Sequence, residues 1–129
     1  MRGITFGAFD AFHVGHLNLL RRAKEKCDWL IVCVSDDEYI REIKKTEPLF
    51  KYEDRYEIVN AIKYVDYVDV QGLFFTKENA IKKYKPDVIF VGNDWTPETF
   101  TGEELGVLVI YLPYTKGIST TLIKEKRAS

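Results

Sequence analysis

Histidine and cysteine are scarce in this chain, with two of each among 129 residues. The cysteines, Cys27 and Cys33, lack the spacing of a Cys-x-x-Cys redox pair, so they read as reduced structural thiols, in keeping with a cytoplasmic location. His13 and His16 stand three apart with no third ligand at a telling spacing, which argues against zinc. No charge of one sign dominates: 19 basic and 20 acidic residues leave a formal net charge of −1. Bulk electrostatic binding to nucleic acid or to an anionic membrane is therefore not supported, and any polyphosphate must be held by locally placed donors. No apolar run approaches the roughly 18 residues of a membrane span. The N-terminus runs straight into a strand and has no signal-peptide shape. Repeats, low-complexity tracts and interior linkers are also missing, so a single domain over residues 1–129 is expected. What is present suits a buried core under a polar surface, at 46% hydrophobic and 30% charged.

The apolar runs are short and separated by helix-like stretches. Ile4-Thr5-Phe6 reads as a strand and Leu17 to Lys24 as a helix. Trp29 to Val34 is continuously apolar, β-branched and too short for a helix, as a buried parallel strand is. Ser35 reads as the N-cap of a second helix with acids in its first turn. From Arg41 to Lys51 no period survives and Pro48 bars a helix, which predicts a mobile basic loop. A helix over residues 52–64 follows, with Ile58, Ala61, Ile62 and Val65 as its apolar stripe. Val65 to Val70 alternates as a strand does, and Gly72 breaks the pattern. Thr76 caps a helix ending near Tyr84, Val88 to Val91 is a buried strand, and Val107 to Leu112 is the last strand, stopped by Pro113. A short helix from Ile118 to Lys126 closes the chain. Strands alternating with helices predict a parallel, doubly wound, three-layer α/β fold of Rossmann-like type.

The most informative stretch joins the first strand to the first helix, Gly7-Ala8-Phe9-Asp10 running on to His13-Val14-Gly15-His16. A strand, a glycine-bearing turn and a helix start form an anion site in such folds, because amide N–H groups and the helix dipole face the ligand there. With the helix beginning near Gly15, both imidazoles point into one pocket, and Gly15 permits close approach of a phosphate. These are also the only histidines in the chain. Ends of parallel strands face the ligand crevice, which brings Gly92, Asn93, Asp94 and Trp95 to the same mouth. Ser119, Thr120 and Thr121 add hydroxyls at another helix start, where a plain N-cap is the alternative reading.

These motifs together resemble the nucleotidyltransferase superfamily, with His13-Val14-Gly15-His16 as its His-x-Gly-His signature and Gly117-Ile118-Ser119-Thr120-Thr121 as its second. Within it the chain is most similar to the bacterial glycerol-3-phosphate cytidylyltransferases, almost over its whole length. Tyr52-Glu53-Asp54-Arg55, Tyr64-Val65-Asp66, Gly92-Asn93-Asp94-Trp95 and Tyr111-Leu112-Pro113 share in that resemblance.

The resemblance implies an enzyme that transfers CMP from CTP to glycerol 3-phosphate, giving CDP-glycerol and pyrophosphate, a step toward cell-wall or teichoic acid precursors. Another phospho-alcohol acceptor, such as phosphoethanolamine or a phosphorylated polyol, is an alternative. So are an adenylyltransferase and a non-catalytic nucleotide-binding module. His13, His16 and Lys44 or Lys45 are the implied catalytic groups; the segment is one residue shorter than the family's, which leaves the two lysines interchangeable. The nucleotide is assigned Gly7, Ala8, Phe9, Asp10, His13, Gly15, His16, Gly92, Asn93, Asp94, Tyr114, Thr115, Gly117, Ile118, Ser119, Thr120 and Thr121. The acceptor is assigned Lys44, Arg55, Lys63, Lys77, Asp10 and Trp95, where Arg55 is open to a structural role and Trp95 to stacking or core packing. Asp10 can orient His13, help position a metal or brace the turn. Magnesium is implied, carried mainly by the triphosphate, and no side chain is assigned as a metal ligand. A homodimer is expected from the same resemblance. Three departures stand out: Tyr114 and Lys63 replace arginines, and Ala8 replaces a threonine.

Overall fold

The computed structural model describes residues 1–92 and 105–112. Asn93, Asp94, Trp95, Tyr114, Thr115 and the second signature, Gly117 to Thr121, lie outside the described residues, as does the expected last helix. In chain order the elements are β1 (Arg2–Gly7), α1 (Val14–Glu25), β2 (Trp29–Ser35), α2 (Asp37–Tyr39) running into a π-helical turn (Ile40–Lys44), α3 (Tyr52–Asn60), β3 (Tyr67–Gln71), α4 (Lys77–Tyr84), β4 (Val88–Val91) and β5 (Leu108–Tyr111). All pairings are parallel, and the sheet order is β3-β2-β1-β4-β5. The neighbours of β1 therefore come from either half of the chain, which makes the carboxyl ends of β1 and β4 the topological switch point where open α/β sheets bind ligands.

The unbroken apolar run of β2 exists because both of its faces are covered. Leu30, Val32 and Val34 pack with Leu20 and Ala23 of α1 and Val59 of α3. Ile31 and Cys33 pack with Ala80, Ile81 and Tyr84 of α4 on the other face. The buried Thr5 hydroxyl donates to the Phe90 carbonyl at 2.9 Å, tying β1 to β4 without leaving a polar atom unpartnered.

Several expectations are corrected. The cap of α2 is Asp36, whose carboxylate accepts the Tyr39 N–H at 2.7 Å. Ser35 stays in β2, where its hydroxyl donates to Gln71 of β3 at 3.0 Å. A Cβ on Gly72 would run into the Asp36 carboxylate, so the residue that ends the β3 pattern also makes room for this cap. Arg41 to Lys44, the start of the stretch expected as loop, belongs to a π-helical turn (Ile40–Lys44) closed by Lys45 in the left-handed region (φ 59°). On α3 the buried residues are Arg55 and Val59, with Tyr52, Tyr56 and Ile62 packed beside the core, while Ile58 is 43% exposed. The helix ends at Asn60, four residues before its expected end.

Candidate active site

The turn after β1 is held in a conformation that its sequence does not favour. Phe9 and Ala11 both have positive φ, 52° and 50°, at a cost of roughly 1–3 kcal/mol each. Burial of the Phe9 ring, 4% exposed, against Phe12 and His16 offsets that strain.

His13 is the N-cap of α1, and the two histidines cap the helix reciprocally. His13 Nδ1 accepts the Gly15 N–H at 3.0 Å, and His16 Nδ1 accepts the His13 N–H at 3.1 Å. The rings stack with centroids 3.9 Å apart. A neutral imidazole has one donor and one acceptor nitrogen, so with Nδ1 accepting, the proton of each ring sits on Nε2. Burial, and secondarily the His13 charge, pulls the His16 pKa down to about 3. His16 is therefore a neutral Nε2–H donor at any physiological pH.

This corrects the expectation for the helix start. The amides of Gly15 and His16 are taken up by the His13 side chain and that of Leu17 by the His13 carbonyl. The helix does not offer a bare row of N–H groups to an anion; imidazole nitrogens stand there instead. Gly15 is buried and serves the cap.

Asp10, 4% exposed, accepts from the main-chain N–H of Leu49 at 2.7 Å and of Phe50 at 3.0 Å. Of its three open roles, the structure displays a bracing one. Arg55 also stands apart from its expected place as an acceptor-binding cation. It is 1% exposed, and its guanidinium donates to the carbonyls of Phe50 (2.9 Å), Ala8 (2.9 Å) and Ser35 (2.6 Å) and to the Asp37 carboxylate (2.6 Å). Four of the five guanidinium N–H groups are thus occupied by protein. Arg55 fastens the turn after β1 to the end of β2 and to the segment before α3.

Lys44 ends the π-helical turn that follows β2, and Lys45 caps it. Lys77 opens α4 behind the Thr76–Asn79 capping box and places Nζ 5.9 Å from the ring centroid of Phe6, next to Gly7. These three lysines belong to the carboxyl edge of the sheet, with the histidines. Lys63 does not. It lies on the connection into β3, where Asp66 accepts the Leu30 N–H near the start of β2, so the topology puts it at the opposite edge.

Gly7 ends β1 and Gly92 follows the neighbouring β4, and the Leu112 N–H donates to the Val91 carbonyl at 2.8 Å. The chain thus enters both undescribed stretches, 93–104 and 113–129, from beside the histidine turn. Among the described residues no three His, Cys, Asp or Glu side chains group to hold a metal ion, and both Asp10 oxygens already accept main-chain N–H groups. Nor is any helix among the described residues long and apolar enough to cross a membrane. Bracing was one of three roles the sequence left open for Asp10, whereas the burial of Arg55 was not read from it. The available sign for Arg55 was its phase, on the same face of α3 as Tyr52, Tyr56 and Val59.

A family model described as Cytidylyltransferase-like matches residues 4–126. A glycerol-3-phosphate cytidylyltransferase of Staphylococcus aureus is 42% identical over 97% of this chain and 93% of its own length. An FAD synthase of Pyrococcus abyssi is 41% identical over 99% of this chain and 86% of its own. Among solved structures, a lipopolysaccharide core biosynthesis protein of Thermoplasma volcanium superposes with a TM-score of 0.74 at 26% identity, covering 92% of this chain and 98% of that one. With the signature histidines at the switch point of a parallel sheet and a match spanning nearly every residue, the chain belongs to the cytidylyltransferase-like family.

Proposed function

We propose that this protein is a nucleotidyltransferase that moves CMP from CTP to a phosphorylated alcohol, with glycerol 3-phosphate as the preferred acceptor. A phosphate oxygen of the acceptor attacks the α-phosphorus, the bond from that phosphorus to the bridging oxygen breaks, and pyrophosphate leaves with the electron pair. The products are CDP-glycerol and pyrophosphate. The attacking oxygen is already anionic, so no general base is needed and no enzyme-bound intermediate forms. Catalysis then rests on positioning and on donors fixed in advance where charge builds up.

The observation that carries this reading is the stacked imidazole pair with both protons held on Nε2. Such donors polarise α- and β-phosphate oxygens without reorganising. Lys44 or Lys45 supplies the positive charge that the neutral His16 ring lacks, and Lys77 binds the acceptor phosphate. A magnesium ion carried by the triphosphate would supply further charge neutralisation, with no side chain assigned to hold it. Gly92 with Asn93 and Asp94, and the stretch from Tyr114 to Thr121, hold the nucleotide, with Tyr114 in place of the arginine as the modulator of base choice. The protein also works as a homodimer, for which the exposed Trp29–Tyr67 stack at the sheet edge is a candidate surface.

Pyrophosphate release is to be measured with each of four NTPs against glycerol 3-phosphate, phosphoethanolamine and a phosphorylated polyol. CTP with glycerol 3-phosphate is expected to give the highest kcat/KM. Because FAD synthases are as similar in sequence, ATP with FMN belongs in the panel, and a maximum there replaces the cytidylyl reading. No release with any pair leaves a nucleotide-binding module.

A further inference from the structure

The segment from Lys44 to Lys51 runs past the β1–α1 turn, and apolar burial does not fix it there, since Phe50 is 43% exposed. It is gripped by polar groups from both sides. The Asp10 carboxylate takes the N–H groups of Leu49 and Phe50, and Arg55 Nε donates to the Phe50 carbonyl at 2.9 Å. Arg55 Nη1 in turn holds the Ala8 carbonyl, closing the circuit on the turn that bears Asp10. A carboxylate buried to 4% exposure requires such donors, and one pointed at a triphosphate would repel it.

We infer that Asp10 is a positioning residue for the transfer reaction. Its carboxylate latches residues 45–51 onto the β1–α1 turn and thereby sets where Lys44 and Lys45 stand relative to the imidazoles. It acts through the lysines and does not touch the nucleotide. This rests on the transferase reading, because the lysines matter only if phosphates lie between them and the histidines.

The test is a double-mutant cycle in kcat/KM, using whichever substrate pair the panel finds active. Asp10→Asn keeps the size and one accepting oxygen. It is expected to cost about 10–100-fold in the natural background, the scale of a misplaced charged group. In a Lys44→Ala, Lys45→Ala background it is expected to cost less than about 2-fold, since residues acting as one unit do not add. Equal losses in both backgrounds, or no loss in either, overturn the inference. Phe50→Pro removes one latched N–H without emptying the core and is expected to show the same non-additivity, so the inference stays testable if Asp10→Asn fails to fold. Amide hydrogen exchange supplies a readout independent of activity. Leu49 and Phe50 are expected to be protected in the natural protein and to lose protection in Asp10→Asn. Unprotected amides in the natural protein refute the latch, whereas protected amides in a protein inactive with every pair refute the transferase reading instead.

Discussion

At His16 the burial that keeps the ring neutral also makes the fold sensitive to acid. In the unfolded chain this imidazole titrates near its ordinary value of about 6.5; in the fold its pKa lies at about 3. Between those values the unfolded state binds a proton that the folded state refuses, so stability falls as pH drops from 6.5 toward 3. The contribution is at most about 1 kcal/mol per pH unit after allowing for partial exposure. Thermal unfolding followed from pH 7 to pH 4 is expected to be steeper for the natural protein than for His16→Gln, which keeps the reach-back cap. Equal slopes would mean that His16 is not held neutral. In turnover, His16→Ala is expected to lose about 10²–10³, the worth of one preorganised donor, measured under saturating substrates with the fold checked by circular dichroism. The sequence displayed both histidines, but not that each commits Nδ1 to the helix cap, because that depends on the extended backbone of His13 (φ −139°).

Among the elements, α3 shows how a correct helix can carry an incorrectly phased face. Ile58, Ala61, Ile62 and Val65 have helical spacing, yet the face turned inward centres on Arg55 and Val59. An arginine at the centre of the buried stripe hides it from any count of apolar residues. The π-helical turn was missed for a related reason: its wider turn falls outside the 3.6-residue helical periodicity, and Pro48 bars only the continuation of a helix through it, not one that has ended by Lys44. Strands were read well because β2 and β4 are buried on both faces and leave unbroken apolar runs. Arg55→Met tests the inward face. The apolar stem survives, but the Asp37 carboxylate and the carbonyls of Ala8, Ser35 and Phe50 lose a shared donor. Breaking a buried pair of this kind costs about 3–5 kcal/mol, so urea unfolding is expected to show a loss of that order. A loss below about 1 kcal/mol would be the behaviour of a solvated surface pair, contrary to an arginine 1% exposed.

For the whole molecule, alternation of strands and helices foretold a parallel doubly wound sheet, but which edge of the sheet a residue occupies depends on the direction in which the chain arrives there. Lys63 illustrates this: it follows α3 as that helix runs away from the site, so its charge reaches the far edge, whereas Lys77 follows β3 as that strand runs toward the site. The order β3-β2-β1-β4-β5 then divides the carboxyl edge about the histidine turn. On one side, β4 and β5 lead into the stretches assigned to the nucleotide. On the other, β2 and β3 lead to Lys44, Lys45 and Lys77. An in-line displacement needs acceptor and leaving group on opposite sides of the α-phosphorus, and the proposed reaction takes the β3 side, with Lys77, for the acceptor. It follows that Lys77→Ala should raise the KM for the phosphorylated acceptor by about 10-fold or more, the worth of one charge-assisted hydrogen bond, while the KM for CTP changes less than about 2-fold. Initial rates with each substrate varied in turn decide it. A rise confined to CTP would place Lys77 on the triphosphate and reverse the division of the crevice, and equal rises in both would mean that Lys77 bridges the two substrates.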